Sequence, residues 1–235
     1  MDRKIIITAD GSHSLRVEDL DENYHSVHGA LQESKHVFIE TGLKKMLSDS
    51  TLPLKSTIDI LEIGFGTGLN ALLTYMEAEQ QDVNIRYSSL EAYPIEPEIA
   101  NQLNYVPLLS NEGNQGLSSI FQQLHTCDWD KEIEISTHFT LHKIKDSIQN
   151  VAFKNTYNLI YFDAFGPRVQ PEMWTEEVFR KIIEVMNPGG CLVTYCAKGE
   201  VKRTLRKVGF TVETLQGPPG KREMTKGTKS LNINE

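Results

Sequence analysis

Three groups of residues carry the chemical content of this 235-residue chain. The first is Asp59-Ile60-Leu61-Glu62-Ile63-Gly64-Phe65-Gly66-Thr67-Gly68-Leu69-Asn70, an apolar strand-like run that ends in alternating glycines before a helix-like stretch. Glycine lets a ligand approach the backbone without a Cβ in the way, and the carboxyl end of a strand is where open α/β sheets bind ligands. A tight turn alone would also use glycines, but their coincidence with a strand-to-helix junction favours a ligand loop. The spacing narrows the choice of ligand. A dinucleotide fingerprint needs a third glycine where Leu69 stands, and no GxxxxGK[ST] phosphate loop is present. Glu62, entering the loop, suits a ligand with positive charge better than a pyrophosphate. S-adenosylmethionine carries a sulfonium and an α-ammonium, and is the expected donor.

The second group is a set of acids at strand ends. Glu91 closes IRYSSLEA, where a carboxylate accepts hydrogen bonds from ribose hydroxyls. Asp146 follows STHFTLHKI and opens a helix-like stretch, so it either caps that helix or meets an adenine. Asp163 ends the run Tyr161-Phe162-Asp163-Ala164-Phe165-Gly166-Pro167. There it either stabilises a turn or, bordering the donor together with Ala164, holds a substrate amine beside the reactive methyl. The third group is basic. Residues 191–235 carry nine Lys and Arg against four Glu, in a chain whose net charge is −8. Such a cluster fits local contact with phosphates, whereas the overall charge excludes indiscriminate nucleic-acid binding.

The elements that must position these residues alternate. IDILEI, ALLTYMEAEQ, IRYSSLEA and IEPEIANQL read as strand, helix, strand, helix. They are followed by strands at EIEISTHFTL, YNLIYFDAF, CLVTYCA and FTVETL, with helices from about Glu176 to Met186 and Gly199 to Val208. Thr175 is placed to cap the first of these. This is an α/β, Rossmann-like fold with a mostly parallel sheet covered on both faces. Residues 1–50 form a small N-terminal extension. It has a hairpin about Asp10-Gly11 and a helix over HVFIETGLKKML reshaped near Gly42, and residues 51–235 are the main domain. Residues 107–130, with NEGNQG, read as an insertion or crossover. Hydrophobic residues at 39% and charged residues at 24% fit a globular protein. No apolar run is long enough for a membrane span or a signal-peptide core, so a cytoplasmic location is expected. Cys127, Cys191 and Cys196 lack CxxC spacing, so neither a disulfide framework nor a metal site is expected.

With LEIGFGTGLNALL, LEAYP, DAFGPRVQPEMWT, TYCAKGEVKRTLRKVGF and GPPGKREMTKG, residues 24 to 227 resemble the MnmD-like methyltransferases, the methyltransferase domain of MnmC. That resemblance implies an S-adenosylmethionine-dependent enzyme that methylates 5-aminomethyl-2-thiouridine at the tRNA wobble position. By position, Gly64, Gly66 and Gly68, with Asn70, would line the methionine part of the donor, Glu91 its ribose and Asp146 its adenine. Asp163 would face the acceptor amine as the catalytic residue. HGALQES is similar to the family's DGLxES and brings Glu33 into the cofactor site, although His28 stands where an aspartate is common. Gly166 replaces a small Ser or Ala. Long members continue into an FAD-dependent domain. No second dinucleotide loop is seen here, so no FAD chemistry is expected and an upstream enzyme must supply the amine.

The implied reaction is an in-line attack of a neutral amine on a sulfonium methyl, with Asp163 orienting the amine or receiving its proton. Tyr24, His25, Phe165 and Trp174 are candidates to enclose the uridine, and core packing is an equal alternative for Phe165 and Trp174. Lys198, Lys202, Arg203, Lys221 and Arg222 are candidates for tRNA contacts, with Arg206 and Lys207 in the same run. Two rivals remain: a polyamine aminopropyltransferase, which shares the loop and the acids, and a non-catalytic RNA-binding module.

Overall fold

A computed structural model describes residues 2–48, 56–110 and 116–231. The expected boundary between residues 50 and 51 and most of NEGNQG lie outside the described residues.

The chain opens with a three-stranded antiparallel sheet of β1 (Arg3–Ile7), β2 (His13–Val17) and β3 (Glu22–Asn23), turning at Asp10-Gly11 as the sequence predicts. The Asp10 carboxylate accepts the Ser12 and Gln32 N–H groups, both at 3.0 Å. One side chain thus closes the hairpin and caps the helix that follows. That helix runs without a break from Ala30 to Leu47, with widened π turns over Lys35–Lys44. Gly42 lies within these turns where the helix packs closely on the sheet: a Cβ there would lie 3.2 Å from Val193 and 3.3 Å from Tyr161, a tight approach that the two side chains would have to relieve.

The main sheet has eight strands: β4 (Ile58–Ile63), β5 (Ile85–Leu90), β6 (Glu132–Ser136), β7 (Phe139–Ile144), β8 (Tyr157–Phe162), β9 (Met186–Thr194), β10 (Phe210–Gln216) and β11 (Glu223–Lys229). Their order is β10-β11-β9-β8-β4-β5-β7-β6. The five central strands are parallel and both edges are antiparallel. From β4 the chain builds outward through β5 to one side and through β8 and β9 to the other, so the direction of winding switches between β4 and β8. All six residues of β4 are buried, as a strand covered on both faces requires. One core packs the Ala30–Leu47 helix and the helices Leu69–Gln81 and Leu117–Thr126 against Ile60, Tyr87 and Tyr161. The other packs Phe179, Ile182 and Leu205 against Leu61, Phe162 and Leu192.

Several expectations are corrected. EIEISTHFTL is a hairpin, β6 and β7 turning at Thr137-His138. The helix-like IEPEIANQL keeps only Pro97–Ala100 helical. The stretch after Asp146 is a hydrogen-bonded turn, with Val151 N–H on the Ser147 carbonyl, and not a helix. The helix from Glu176, capped by Thr175 Oγ accepting Val178 N–H, ends at Glu184, and Met186 already belongs to β9. The sequence places no strand after FTVETL, yet β11 follows it and is inserted between β9 and β10.

Candidate active site

The site is assembled by strand register. Ile63 pairs with Leu90 on one side and Phe162 on the other, and Leu90 pairs with Ile144. Gly64, Glu91 and Asp163 therefore leave the sheet at one level. The ladder continues one step past the strands: Gly64 N–H donates to Leu90 O (2.9 Å), Glu91 N–H to Ile144 O (3.0 Å) and Asp163 N–H to Ile63 O (3.0 Å). Gly64 has φ 98°, and a Cβ on it would lie 2.7 Å from the Asp163 carbonyl oxygen. The glycine loop and the Asp163 loop thus touch backbone to backbone, which any side chain would prevent.

A pocket opens above these ends. Its walls include Tyr24, His25, Gly64, Gly66, Asn70, Glu91, Asp146, Asp163, Ala164 and Phe165, all singled out from the sequence. Glu91 accepts the Gly66 N–H at 3.0 Å and the Tyr93 N–H at 2.8 Å, so its carboxylate is fixed while each oxygen keeps a lone pair for a ligand hydroxyl. Asn70 donates to Asp163 Oδ2 at 2.9 Å, and its own Oδ1 is buried without a partner. Glu62, whose Oε1 is likewise buried without a partner, lies in hydrogen-bond reach of Asn70, and its protonated form is a donor for the Asn70 Oδ1. The glycine loop's backbone, open to a ligand, and the free lone pairs of the Glu91 carboxylate fit S-adenosylmethionine. Burial pushes the Asp163 carboxyl up to about 7, with the Glu33 charge adding to the rise and the Asn70 hydrogen bond and Lys221 opposing it.

The aromatic candidates separate. Tyr24 meets Phe165 edge to face at 5.1 Å between centroids, and Arg3 Nε donates to the Tyr24 hydroxyl at 3.0 Å. The N-terminal extension therefore forms one wall of the pocket. His25 is buried with Nδ1 3.0 Å from Ser14 Oγ, and burial lowers it to about 4, so it is neutral near pH 7. Trp174 belongs to the core. It packs on Phe162 and Phe179, is 6% exposed, and donates its Nε1–H to the Phe165 carbonyl at 2.8 Å. It shapes the loop and offers no face to a base.

Three predicted cofactor ligands stand outside the pocket wall. Gly68, with φ 72°, turns its Cα away from the pocket, and a Cβ there would lie 2.7 Å from His125 Nε2. Glu62 is fully buried beneath the loop, because strand alternation turns Ile63 toward the pocket and Glu62 into the layer below. Its Oε2 accepts the Ser89 hydroxyl at 2.6 Å, and burial raises it to about 8. Glu33 is 6% exposed; it accepts Ser26 N–H at 2.7 Å and binds Lys221 Nζ at 2.5 Å. Of the basic candidates, Lys202 is a correction: it is buried and bonded to Glu223 at 2.8 Å, which ties its helix to β11. Lys221 likewise turns inward. Arg203 and Arg222 are exposed, and Lys198 is half exposed beside Glu200 at 3.6 Å.

Sequence reasoning missed Tyr93, Gln170 and His125. Tyr93 lines the pocket, and Gln170 Oε1 accepts the Phe165 N–H at 3.1 Å. His125, buried and lowered to about 4, donates Nε2–H to the Thr67 carbonyl at 3.1 Å and props the glycine loop from behind. LEAYP and the segment before PEMWT hold a signal for the first two. His125 has none, since it lies 58 residues from its partner.

A family of S-adenosyl-L-methionine-dependent methyltransferases matches residues 111–230. The tRNA 5-methylaminomethyl-2-thiouridine biosynthesis bifunctional protein MnmC of Leptospira borgpetersenii is 32% identical over 216 residues, covering 89% of this chain and 32% of that protein. The protein of the same name from Cupriavidus necator is 31% identical over 233 residues, covering 94% and 33%. The chain thus spans about a third of the length of these relatives. Among solved structures, MnmC2 from Aquifex aeolicus superposes with a TM-score of 0.73 at 24% identity, covering 99% of this chain and 71% of that one. Spermidine synthase from Thermotoga maritima superposes at 0.52 with 14% identity, over 98% and 74%. Both likenesses speak for the fold. With the family match spanning half of the chain and the site built at the switch point of a Rossmann-like sheet, the chain belongs to the S-adenosyl-L-methionine-dependent methyltransferases.

Proposed function

We propose that the protein transfers the methyl group of S-adenosylmethionine to the aminomethyl nitrogen of 5-aminomethyl-(2-thio)uridine at the wobble position of tRNA. The observation that carries this reading is Asp163, a carboxyl raised to about 7 and oriented by Asn70 where the glycine loop meets the pocket. The relatives' name, biosynthesis of tRNA 5-methylaminomethyl-2-thiouridine, supports the acceptor, since that product carries a methyl on an aminomethyl nitrogen. An upstream enzyme supplies the aminomethyl-uridine.

Gly64, Gly66 and Asn70 would hold the methionine part of the donor, Glu91 its ribose, and Asp146 with Ser147 and Ile148 its adenine. When bound, S-adenosylmethionine supplies a methyl carbon on a sulfonium, an electrophile that needs no activation by the protein. What the chain adds is alignment of the amine and a place for its proton. An alkylamine has a reference pKa of about 10.4, so it is mostly protonated near neutrality. A carboxyl near 7 takes that proton more readily than an ordinary aspartate does. Tyr24 and Phe165 offer an edge-to-face wall for the uracil ring, and Lys198, Arg203 and Arg222 offer charge for tRNA phosphates.

The test is incubation with methyl-labelled S-adenosylmethionine and tRNA bearing 5-aminomethyl-uridine, followed by nucleoside mass spectrometry. Label on 5-methylaminomethyl-uridine is expected. Donor binding by calorimetry without labelled RNA would overturn the acceptor; transfer to a polyamine would favour the aminopropyltransferase, whose fold is also shared. Bound RNA with no donor binding would favour the RNA-binding module.

A further inference from the structure

Lys221 was expected to reach tRNA phosphates, yet it is built into the wall behind Asp163. Its Nζ lies 2.5 Å from Glu33 Oε1 and 3.9 Å from the centre of the Tyr195 ring. The Tyr195 hydroxyl donates to the carbonyl of Ala164, the residue after Asp163, at 2.8 Å. The second Glu33 oxygen is occupied by the Ser26 N–H. The Glu33 side chain is 7% exposed and that of Lys221 31%. A buried carboxylate without its cation would be costly in itself, and it would also place a second negative charge beside the seat of a cationic substrate.

We propose that Lys221 is the counter-charge of the acceptor seat: it cancels Glu33, so that the incoming amine meets Asp163 as the uncompensated carboxylate and is left free to lose its proton. This rests on the aminomethyl-uridine reading. In the step concerned the N–H bond breaks, the electron pair stays on the amine nitrogen, and the proton passes to an Asp163 oxygen. Two uncompensated carboxylates would hold the ammonium form, whereas a neighbouring cation works against it. The groups that face Lys221 are Glu33 and His25 from the N-terminal extension, Asp163 after β8, and Tyr195 and Cys196 after β9. Burial holds His25 near 4, and burial pushes Tyr195 and Cys196 above their ordinary values. Asp163 therefore titrates nearest to neutrality, and its direction follows the same logic, raised by Glu33 and lowered by Lys221.

The test is the pH profile of kcat/KM for methyl transfer to aminomethyl-uridine tRNA, with donor affinity measured alongside. Lys221→Met is expected to move the acid limb upward by about half a pH unit or more, a loss of roughly threefold on that limb, with the alkaline plateau changed less. Lys221→Arg should follow the wild type, and Glu33→Gln combined with Lys221→Met should bring the limb back, because both charges go. If Lys221→Met does not fold, Glu33→Gln alone decides, and it should move the limb downward. An unmoved limb in Lys221→Met, a double variant no better than the single, or an unmoved limb in Glu33→Gln would overturn the inference while leaving the acceptor assignment in place. A wild-type enzyme that labels no tRNA would remove that assignment, and this inference with it.

Discussion

The donor side of the pocket and its acceptor side are built in different ways. On the donor side, Gly64, Gly66 and Glu91 are placed by paired strand ends and held by backbone hydrogen bonds, so their positions follow from the register of β4, β5 and β8. On the acceptor side, Tyr24, Glu33, Phe165, Tyr195 and Lys221 come from both ends of the chain and from two loops. They meet through side-chain contacts such as the Glu33–Lys221 pair, whose partners are 188 residues apart. The register of a parallel sheet is a stiff constraint, since a one-residue slip turns every side chain to the other face. Side-chain pairs can be exchanged one at a time. A fold arranged like this can keep its donor while its acceptor changes.

Substitutions that break one side alone test the division. The largest effect is expected for Asp163→Asn. Asparagine keeps the shape and can still face Asn70, but it cannot take a proton, so kcat should fall by about 10²–10⁴. Donor affinity by calorimetry should stay within about threefold, because the glycine loop and Glu91 are untouched. Loss of donor binding in step with turnover would place Asp163 on the donor side and erase the division.

Glu91→Ala is the converse experiment. It removes the acceptor of the Gly66 and Tyr93 N–H groups and the proposed ribose contact together. Hydrogen bonds to charged groups contribute about 1.5–3 kcal/mol, so donor affinity should weaken roughly tenfold to a hundredfold. At saturating donor, kcat should change far less. A large fall in kcat with unchanged affinity would count against Glu91 as a donor ligand.

The same division sets what could be read from the sequence. The donor side was legible because LEIGFGTGLN and LEAYP each pack a strand end, its turn and the functional residue into one contiguous segment. Glu62 shows the limit of that reading. Its type and place in the motif were visible, but period-2 alternation turns it under the loop instead of into the pocket. The hairpin of β6 and β7 was read as one strand because Thr137-His138 carries none of the usual turn residues. β11 was missed because EMTKGTK has the polarity of a tail, and its place between β9 and β10 depends on pairing with both. The basic residues illustrate the same point on the acceptor side. Their clustering was plain, but Lys202 and Lys221 are consumed by Glu223 and Glu33, acids that only the fold brings near them.

The smallest expected effect concerns Glu62, which belongs to neither side. Its carboxyl is raised to about 8, chiefly by burial, against 4.5 for an ordinary glutamate. A folded-state value above the unfolded one means that the folded protein binds the extra proton. The resulting stabilisation is fully present below about pH 4.5 and is lost as the pH rises toward 8. Glutamine at this position keeps an oxygen to accept the Ser89 hydroxyl and has no charge to bury. Glu62→Gln should therefore match the wild type near pH 5 and exceed it at pH 8.5, read as a higher Tm. Turnover with saturating donor should be close to wild type at both values. A variant less stable than wild type at pH 8.5 would mean that the hydrogen bonds to the ionised Glu62, that of Ser89 first, outweigh the cost of burying its charge.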